Sequence, residues 1–146
     1  MFFAGLTFSR TSIKKDCRLK IEKGKIEKVD KQTFWVILAT LTNQTKDTLK
    51  YFSMTCSWQD FYSVDNSKLQ VEGTSCDKNI PTILTLAPGQ SSTVEVKLLI
   101  SQTMDASTID FKIGFNIMKV KSSADKFDFN EQTKKKNVIW SNIISM

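Results

Sequence analysis

The three cysteines are the residues whose chemistry this sequence offers most directly. Cys56 lies in a predicted strand beside Trp58, and Cys76 lies in an irregular stretch, 73–81, that can fold back over the end of that strand. A disulfide between them is one hypothesis, and two reduced thiols are the other. A bridge closing a loop of that length would contribute about 3 kcal/mol of stability and would indicate an oxidising compartment. Cys17 would remain as a free thiol or form an intermolecular bridge.

Histidine is absent, and this absence restricts the chemistry further. Ser-His-Asp and Cys-His catalytic groups lose their base, and zinc or copper sites lose their commonest ligand. The remaining acids are dispersed without the paired spacing that a glycosidase needs. We therefore predict a protein that is not an enzyme, with no catalytic residues, no cofactor and no metal site.

The net charge of +6 comes from 21 basic and 15 acidic residues and is spread unevenly. Most of the excess lies in residues 1–30, residues 31–100 are neutral, and Lys134, Lys135 and Lys136 form the one dense basic run. That run is typical of a solvated loop before a final strand. Because the charge is not gathered on one groove-sized surface, we predict no nucleic-acid partner.

Side-chain alternation with a period of two runs through most of the chain and predicts β-strands. Residues 19–29 suit an edge strand with a bulge near Gly24, and the almost wholly apolar stretch 33–43 suits a central strand. The clearest alternation lies in 108–120, and others are predicted in 49–60, 68–72, 83–86, 92–100 and 137–145. Seven or eight such strands without crossover helices predict an all-β, antiparallel, immunoglobulin-like β-sandwich.

We expect the sandwich to occupy residues 19–146, with 1–18 as an N-terminal arm or the remnant of a leader. The start of the chain is apolar but lacks the basic region of a signal peptide. No apolar run approaches the roughly 20 residues of a transmembrane helix, so no transmembrane segment is predicted.

Two turns are predicted from residue type. Residues 43–47 and 87–90 contain the Asn, Asp, Pro and Gly that turns favour. The triplet Asn43-Gln44-Thr45 also fits an N-glycosylation acceptor, but the turn role of Asn43 is the safer interpretation.

The segment LATLTNQTKDTLKYFSMTCSW, followed by LAPGQSSTVEVKLLI, resembles small bacterial immunoglobulin-like domains. This group includes proteinase-inhibitor-like and extracytoplasmic modules, in which a Leu-x-Pro-Gly-x-Ser turn leads into an alternating strand. The resemblance covers roughly residues 19–120. It implies a scaffold for binding or assembly without catalytic residues. Antibody-type domains differ, because Cys56 and Trp58 share one strand here and no Tyr lies two residues before Cys76.

Both faces of the strand at 33–43 are apolar, and only one can face the interior. We expect the core face to be Trp35, Ile37, Ala39 and Leu41. The opposite face would then contact a flanking segment or a partner; it consists of Phe34, Val36 and Leu38. The alternative is that Phe2, Phe3 and Phe8 cover it. A large exposed apolar face usually marks an interface.

Aromatic side chains offer a second kind of candidate surface. Trp58 and Trp140 are predicted to be core residues because they share parity with apolar neighbours. Trp35 and Tyr62 are the candidates for an exposed platform. With Phe34, Val36 and Leu38 they complete the predicted interaction surface.

Together these observations predict a non-catalytic binding or assembly module with a protein or glycan partner. One alternative is a proteinase inhibitor acting through an exposed loop at 60–66 or 73–81. The other is a carbohydrate-binding module that uses Trp35 or Tyr62. We expect a secreted, periplasmic or cell-surface location, with a cytoplasmic one as the alternative. The sequence leaves the oligomeric state open.

Overall fold

A computed structural model describes residues 16–74, 76–101 and 109–146, and these are folded mainly as antiparallel β-strands. A 3₁₀ turn covers Trp58–Phe61 and a short helix, α1, covers Phe129–Lys134. The strands in the described residues are β1 (Cys17–Val29), β2 (Gln32–Asn43), β3 (Leu49–Met54), β4 (Tyr62–Val64), β5 (Leu69–Val71), β6 (Pro81–Leu86), β7 (Ser91–Ile100), β8 (Asp110–Phe111), β9 (Ile113–Asn116), β10 (Val138–Trp140) and β11 (Ile144–Ser145). The all-β, antiparallel prediction is confirmed.

The largest sheet has four strands in the order β1-β2-β7-β5. β2 lies inside it because its apolar side chains can be covered on both sides of the strand. β1 is an edge strand, and its pairing with β2 shifts register between Lys23 and Ile26. The predictions of a bulged edge strand followed by a central strand are confirmed. Asp30, at φ 57°, makes the turn between them, a backbone conformation that Asp tolerates better than most residues.

The other strands form shorter ladders, in the orders β10-β9-β4, β11-β8 and β3-β6. β3 also bonds on its other side to the segment that follows β9. There the Phe52 N–H donates to the Met118 carbonyl and the Val120 N–H donates to the Lys50 carbonyl, both at 2.9 Å. β3 therefore lies between β6 and the continuation of β9.

One cluster of buried side chains joins the four-stranded sheet to these shorter ladders. The ladders contribute one face of the stretch predicted to alternate most clearly, namely Ile109, Phe111, Ile113, Phe115 and Ile117, all of them buried. The large sheet contributes Trp35, Ile37, Ala39 and Leu41 from β2. The prediction that these residues form core faces is confirmed.

The described residues contain eleven strands, more than the seven or eight predicted. One reason is that the predicted strand at 108–120 is divided into β8 and β9. The strand predicted at 49–60 ends at Met54, and a 3₁₀ turn follows it. β1 begins at Cys17, so Cys17 and Arg18 of the predicted arm belong to the first strand. Phe2, Phe3 and Phe8 lie outside the described residues.

The last part of the chain corrects one prediction. Ile139 is the buried residue of β10, whereas Trp140 is among the exposed large apolar residues. Its ring covers the outer side of Gly114, where a Cβ would lie 3.0 Å from the Trp140 ring. Because glycine leaves this space open, the indole packs on the outer face, and its neighbour Ile139 faces the core.

Candidate functional site

A cleft of about 290 Å³ opens between β6 and β7, and we name it the aromatic cleft. Four aromatic rings, several apolar chains and four hydroxyl side chains form it, and none of the described residues that line it is charged. They are Tyr51, Trp58, Tyr62 and Phe115; Leu41, Met54, Leu84 and Val94; and Ser53, Thr55, Thr82 and Ser92. Concave, mostly apolar surfaces with a few polar groups are where proteins commonly bind ligands.

The aromatic rings form a connected set at the base of the cleft. The Tyr62 and Phe115 ring centroids lie 4.9 Å apart. Tyr51 meets Phe115 edge-on at 5.8 Å, and Trp58 meets Tyr62 edge-on at 5.9 Å. Edge-on and tilted contacts of this kind are favourable aromatic geometries. The base of the cleft is therefore a surface of mutually packed rings.

Burial raises the pKa of both tyrosines of the cleft. It raises the pKa of Tyr62 far above its ordinary value, with a further contribution from nearby Tyr51. Burial also raises the pKa of Tyr51. In the parts of the chain that the structure describes, neither phenolic hydroxyl has a hydrogen-bond partner. Both remain neutral groups that can donate to or accept from a bound molecule.

β6 forms one side of the cleft and has a free edge. Within the described part of the chain it pairs with β3 alone, in a register that sets Tyr51 opposite Leu84 and Ser53 opposite Thr82. The main-chain groups of Lys50 and Phe52 bond to residues 120 and 118, on the side of β3 away from β6. Because successive residues of a strand point these groups to opposite sides, β3 bonds to β6 through Leu49, Tyr51 and Ser53. The main-chain groups of Ile83 and Thr85 therefore point away from β3. Among the described residues nothing bonds to them.

This free edge of β6 is also apolar and uncharged. Ile80 is 60%, Ile83 46% and Leu84 41% exposed. Leu84 lies on the face that lines the cleft, and Ile83 lies on the opposite face opposite Phe52. Phe52 itself is covered by Phe127, whose ring centroid lies 5.8 Å away. The exposed apolar surface is thus continuous with the mouth of the cleft.

A disulfide anchors the segment that leads into β6. Cys56 and Cys76 are bonded, with Cα atoms 6.3 Å apart, so the predicted bridge is confirmed. Asn79 adds a second anchor, because its Oδ1 accepts from the N–H groups of Cys56 and Ser57, both at 3.1 Å. The described residues of 73–80 are exposed between these anchors. The segment is therefore exposed and tethered at both Cys76 and Asn79.

The five residues predicted as an interaction surface occupy different places. Trp35 is a core residue whose ring stacks on Phe111 at 6.1 Å, so it offers no exposed platform. Phe34 and Val36 are also buried, at 7% and 1% exposure, although they lie outside the core cluster. Leu38 is half-buried. Tyr62 alone belongs to the aromatic cleft.

A larger cleft of about 550 Å³ lies beside the loop that follows β9. Four of its charged side chains, Asp16, Lys119, Glu131 and Lys136, form ion pairs. The Lys119 Nζ lies 2.8 Å from Asp16, and Glu131 lies 3.0 Å from Lys134 and 3.6 Å from Lys136. A hydrogen bond from Lys134 and the charges of both lysines lower the pKa of Glu131. The lysine run predicted as a solvated loop thus lies at the end of α1, paired with an acid.

Asn43 is wholly buried and acts in the turn after β2. Its Nδ2 donates to the carbonyls of Asp47 and Leu86, at 2.8 and 2.9 Å, and its Oδ1 accepts from the Thr45 N–H. The turn role predicted for Asn43 is confirmed. An amide with both protons engaged and no exposed surface is not placed to accept a glycan.

Cys17 is a free cysteine and is buried at the start of β1. Burial raises the pKa of its thiol, and the nearby charge of Lys119 opposes that rise in part. A buried, protonated thiol is a poor nucleophile. Cys17 is 1% exposed, which favours the free thiol over the intermolecular bridge.

No protein-family model matches this sequence, and no curated protein is similar to it. Among residues 16–74, 76–101 and 109–146 there is no group of three or more acidic or cysteine side chains placed to hold a metal ion. In the same residues no helix is long and apolar enough to cross a membrane.

The sequence-based reasoning identified Tyr62 but not the rest of the cleft. The remaining residues come from β2, β3, β6 and β7, and only the folded register brings them together. One signal was present. Residues 79–94 contain no charged side chain, although a quarter of the whole chain is charged. This stretch contains the residues that β6 and β7 contribute to the cleft.

Proposed function

We propose that this chain is a non-catalytic binding module with an immunoglobulin-like β-sandwich fold, and that it binds an uncharged, apolar segment of a protein partner in the aromatic cleft. The observation that carries the proposal is the uncharged lining of this cleft. A charged ligand would lose its hydration there without gaining an ion pair. An apolar side chain would instead bury its surface against the four rings.

The sandwich interpretation is supported by a core to which both groups of strands contribute. Trp35 of β2 stacks on Phe111 of β8, and Val96 and Leu98 of β7 belong to the same buried cluster as Phe115 of β9. Two apolar sheet faces that share one core are what a sandwich requires. The resemblance of 19–120 to bacterial immunoglobulin-like domains supports the same interpretation.

A protein partner suits the cleft better than a glycan. Sugar-binding platforms present an exposed ring with polar groups around it, and Trp35 is buried. Tyr62 and Trp58 are only partly accessible, and the exposed aliphatic side chain of Leu84 lines the same cleft. Mixed aromatic and aliphatic surfaces of this kind are typical of protein–protein contacts.

The disulfide supports a location outside the reducing cytoplasm. Structural disulfides persist in oxidising compartments and are rare in cytosolic proteins. Cys56 and Cys76 anchor the segment beside the proposed site, so their oxidation contributes to its shape. We therefore propose a secreted, periplasmic or cell-surface protein.

Selection from a random peptide library on the immobilised, oxidised protein tests the proposal. We expect the selected peptides to lack charged residues and to be rich in aliphatic and aromatic ones. Two neighbouring serines of β7 provide matched variants, because Ser92 lines the cleft while Ser91 bonds to Thr42 on the other face. Ser92→Arg should weaken binding at least about tenfold, whereas Ser91→Arg should leave it unchanged.

The measurement is fluorescence anisotropy of a selected, labelled peptide. Circular dichroism and thermal unfolding of both variants show whether they are folded. Selection of charged peptides would contradict the proposal, and so would equal affinity for the folded Ser91→Arg and Ser92→Arg proteins.

A further inference from the structure

We propose that the free edge of β6 is an interface between two copies of this chain, whose β6 strands pair antiparallel about a two-fold axis. This inference goes beyond the proposed function, because it concerns main-chain groups outside the aromatic cleft. Its basis is the combination of unbonded main-chain groups, exposed apolar side chains and absent charge on one short strand.

The main-chain groups of β6 match those of a second β6. Ile83 and Thr85 point their N–H and C=O groups away from β3. With the axis passing beside Leu84, Ile83 of one copy faces Thr85 of the other, and each such pair exchanges two hydrogen bonds. The same two residues of each copy thus satisfy one another. An isologous contact requires this self-complementarity.

The side chains of β6 are also self-complementary in this register. Leu84 of each copy lies directly opposite Leu84 of the other, on the face that lines the clefts. Ile83 lies beside Thr85 of the other copy on the outer face. Pairing would therefore remove from water two of the apolar side chains that the single chain leaves exposed. It would also extend the wall of each cleft with Leu84 of the second copy.

The charge of the chain does not oppose this pairing. No charged residue lies in 79–94, so the strands themselves bring no like charges together. The closest flanking base in the ladder is Lys50, opposite Thr85 on β3. In the pair, the two Lys50 residues stand three strand spacings apart, roughly 14 Å. Salt at physiological strength screens exposed charges beyond about 8 Å.

Pro81 limits the interface to the centre of β6. Proline has no N–H to donate, so pairing cannot continue past this end of the strand. A long, extendable edge would favour open aggregates, whereas a short edge blocked at one end favours a closed pair. A second copy is therefore the occupant that the strand fits.

Sedimentation velocity of the oxidised protein, from micromolar to near-millimolar concentration, tests the inference. We expect a monomer that converts to a dimer as concentration rises. Thr85→Pro removes one outward N–H while leaving the β3 pairing intact, and should weaken the dimer at least about tenfold. Thr85→Ala keeps that N–H and should leave the dimer unchanged.

Ile83→Lys provides a second test should Thr85→Pro fail to fold. It sets a positive charge on the pairing strand of each copy and should also abolish the dimer. Ile26→Lys on β1 is the control, because Ile26 is also an exposed isoleucine of an edge strand, at 60% exposure against 46% for Ile83. A monomer at every concentration would overturn the inference. So would a dimer that persists in both Thr85→Pro and Ile83→Lys.

Discussion

β1 and β6 are both edge strands, but the edge of β1 is protected against pairing with another strand and the edge of β6 is much less so. β1 has thirteen residues, and Lys20, Glu22 and Lys23 place charges along it. It also carries a register shift, and the Asn142 side chain is bonded to the main chain of Ile21. β6 has six residues and none of these features. Charges, bulges and covering groups are the usual protections of an edge strand.

Asn142 shows how closely the β1 edge is covered. Its Oδ1 accepts from the Ile21 N–H at 2.8 Å, and its Nδ2 donates to the Ile21 carbonyl at 3.2 Å. The amide thus takes the place that a residue of another strand would occupy. The edge of β6, which we propose as an interface, has no such amide among the described residues.

Of the changes that affect the two edge strands, loss of the disulfide should lower the free energy of unfolding most, because it frees the segment leading into β6. For a bridge with a sequence separation of 20, the chain-entropy treatment gives about 3 kcal/mol. We expect Cys56→Ser with Cys76→Ser to lower the free energy of unfolding by about that amount, measured by urea denaturation.

Hydrogen exchange should locate this loss. The amides of Thr82 and Leu84 in β6 should exchange faster in the double variant through local opening. The exchange of the β1 amides should change only as far as global unfolding becomes easier. A reducing agent should lower the stability of the natural protein but not that of the variant. Unchanged stability would show that Asn79 alone holds the segment.

Gly24 should give the next largest effect, on the β1 side. A Cβ at this position would collide with the Val36 carbonyl oxygen, which is main chain and cannot move aside. We expect Gly24→Ala to cost about 2 kcal/mol, by analogy with overpacked cores. Gly73→Ala is the control, because its nearest contact would be Asp60 at 3.9 Å. Equal unfolding free energies for the two variants would show that the bulge relaxes.

Alternation was enough to predict the elements that are covered on one face. It gave β7, where Val96 and Leu98 are wholly buried while Glu95 and Lys97 between and beside them are exposed. It was less informative for β3, where Tyr51 faces the core and its neighbour Phe52 is covered by Phe127. When both faces of a strand are buried, parity carries no information about which side is inward.

The site was predictable only in part. The Cys56–Cys76 bridge could be proposed because cysteine chemistry is specific to the residue type. The aromatic cleft could not, because its walls depend on the register of β3 with β6 and on the path of β7. The prediction that Trp140 is a core residue was wrong for a similar reason, because the space that its ring fills is left open by Gly114 on a different strand.

Removal of the Asn142 side chain should change the free energy of unfolding least, and it tests directly whether this amide protects the β1 edge. Asn142→Ala leaves the Ile21 N–H and carbonyl to water, and we expect a loss of about 1 kcal/mol in unfolding free energy. Ile143→Ala, at the exposed neighbour, should change it by less than about 0.5 kcal/mol. Exchange of the Ile21 amide should accelerate only in Asn142→Ala.

The oligomeric state of Asn142→Ala separates the two protections of β1. If Lys20, Glu22 and Lys23 suffice to repel another strand, sedimentation of this variant should match that of the natural protein, because its exposed edge still carries charge. New self-association that persists with Ile83→Lys in place would mean that Asn142 is the main protection. The lack of charge on β6 would then matter less than its lack of a capping amide.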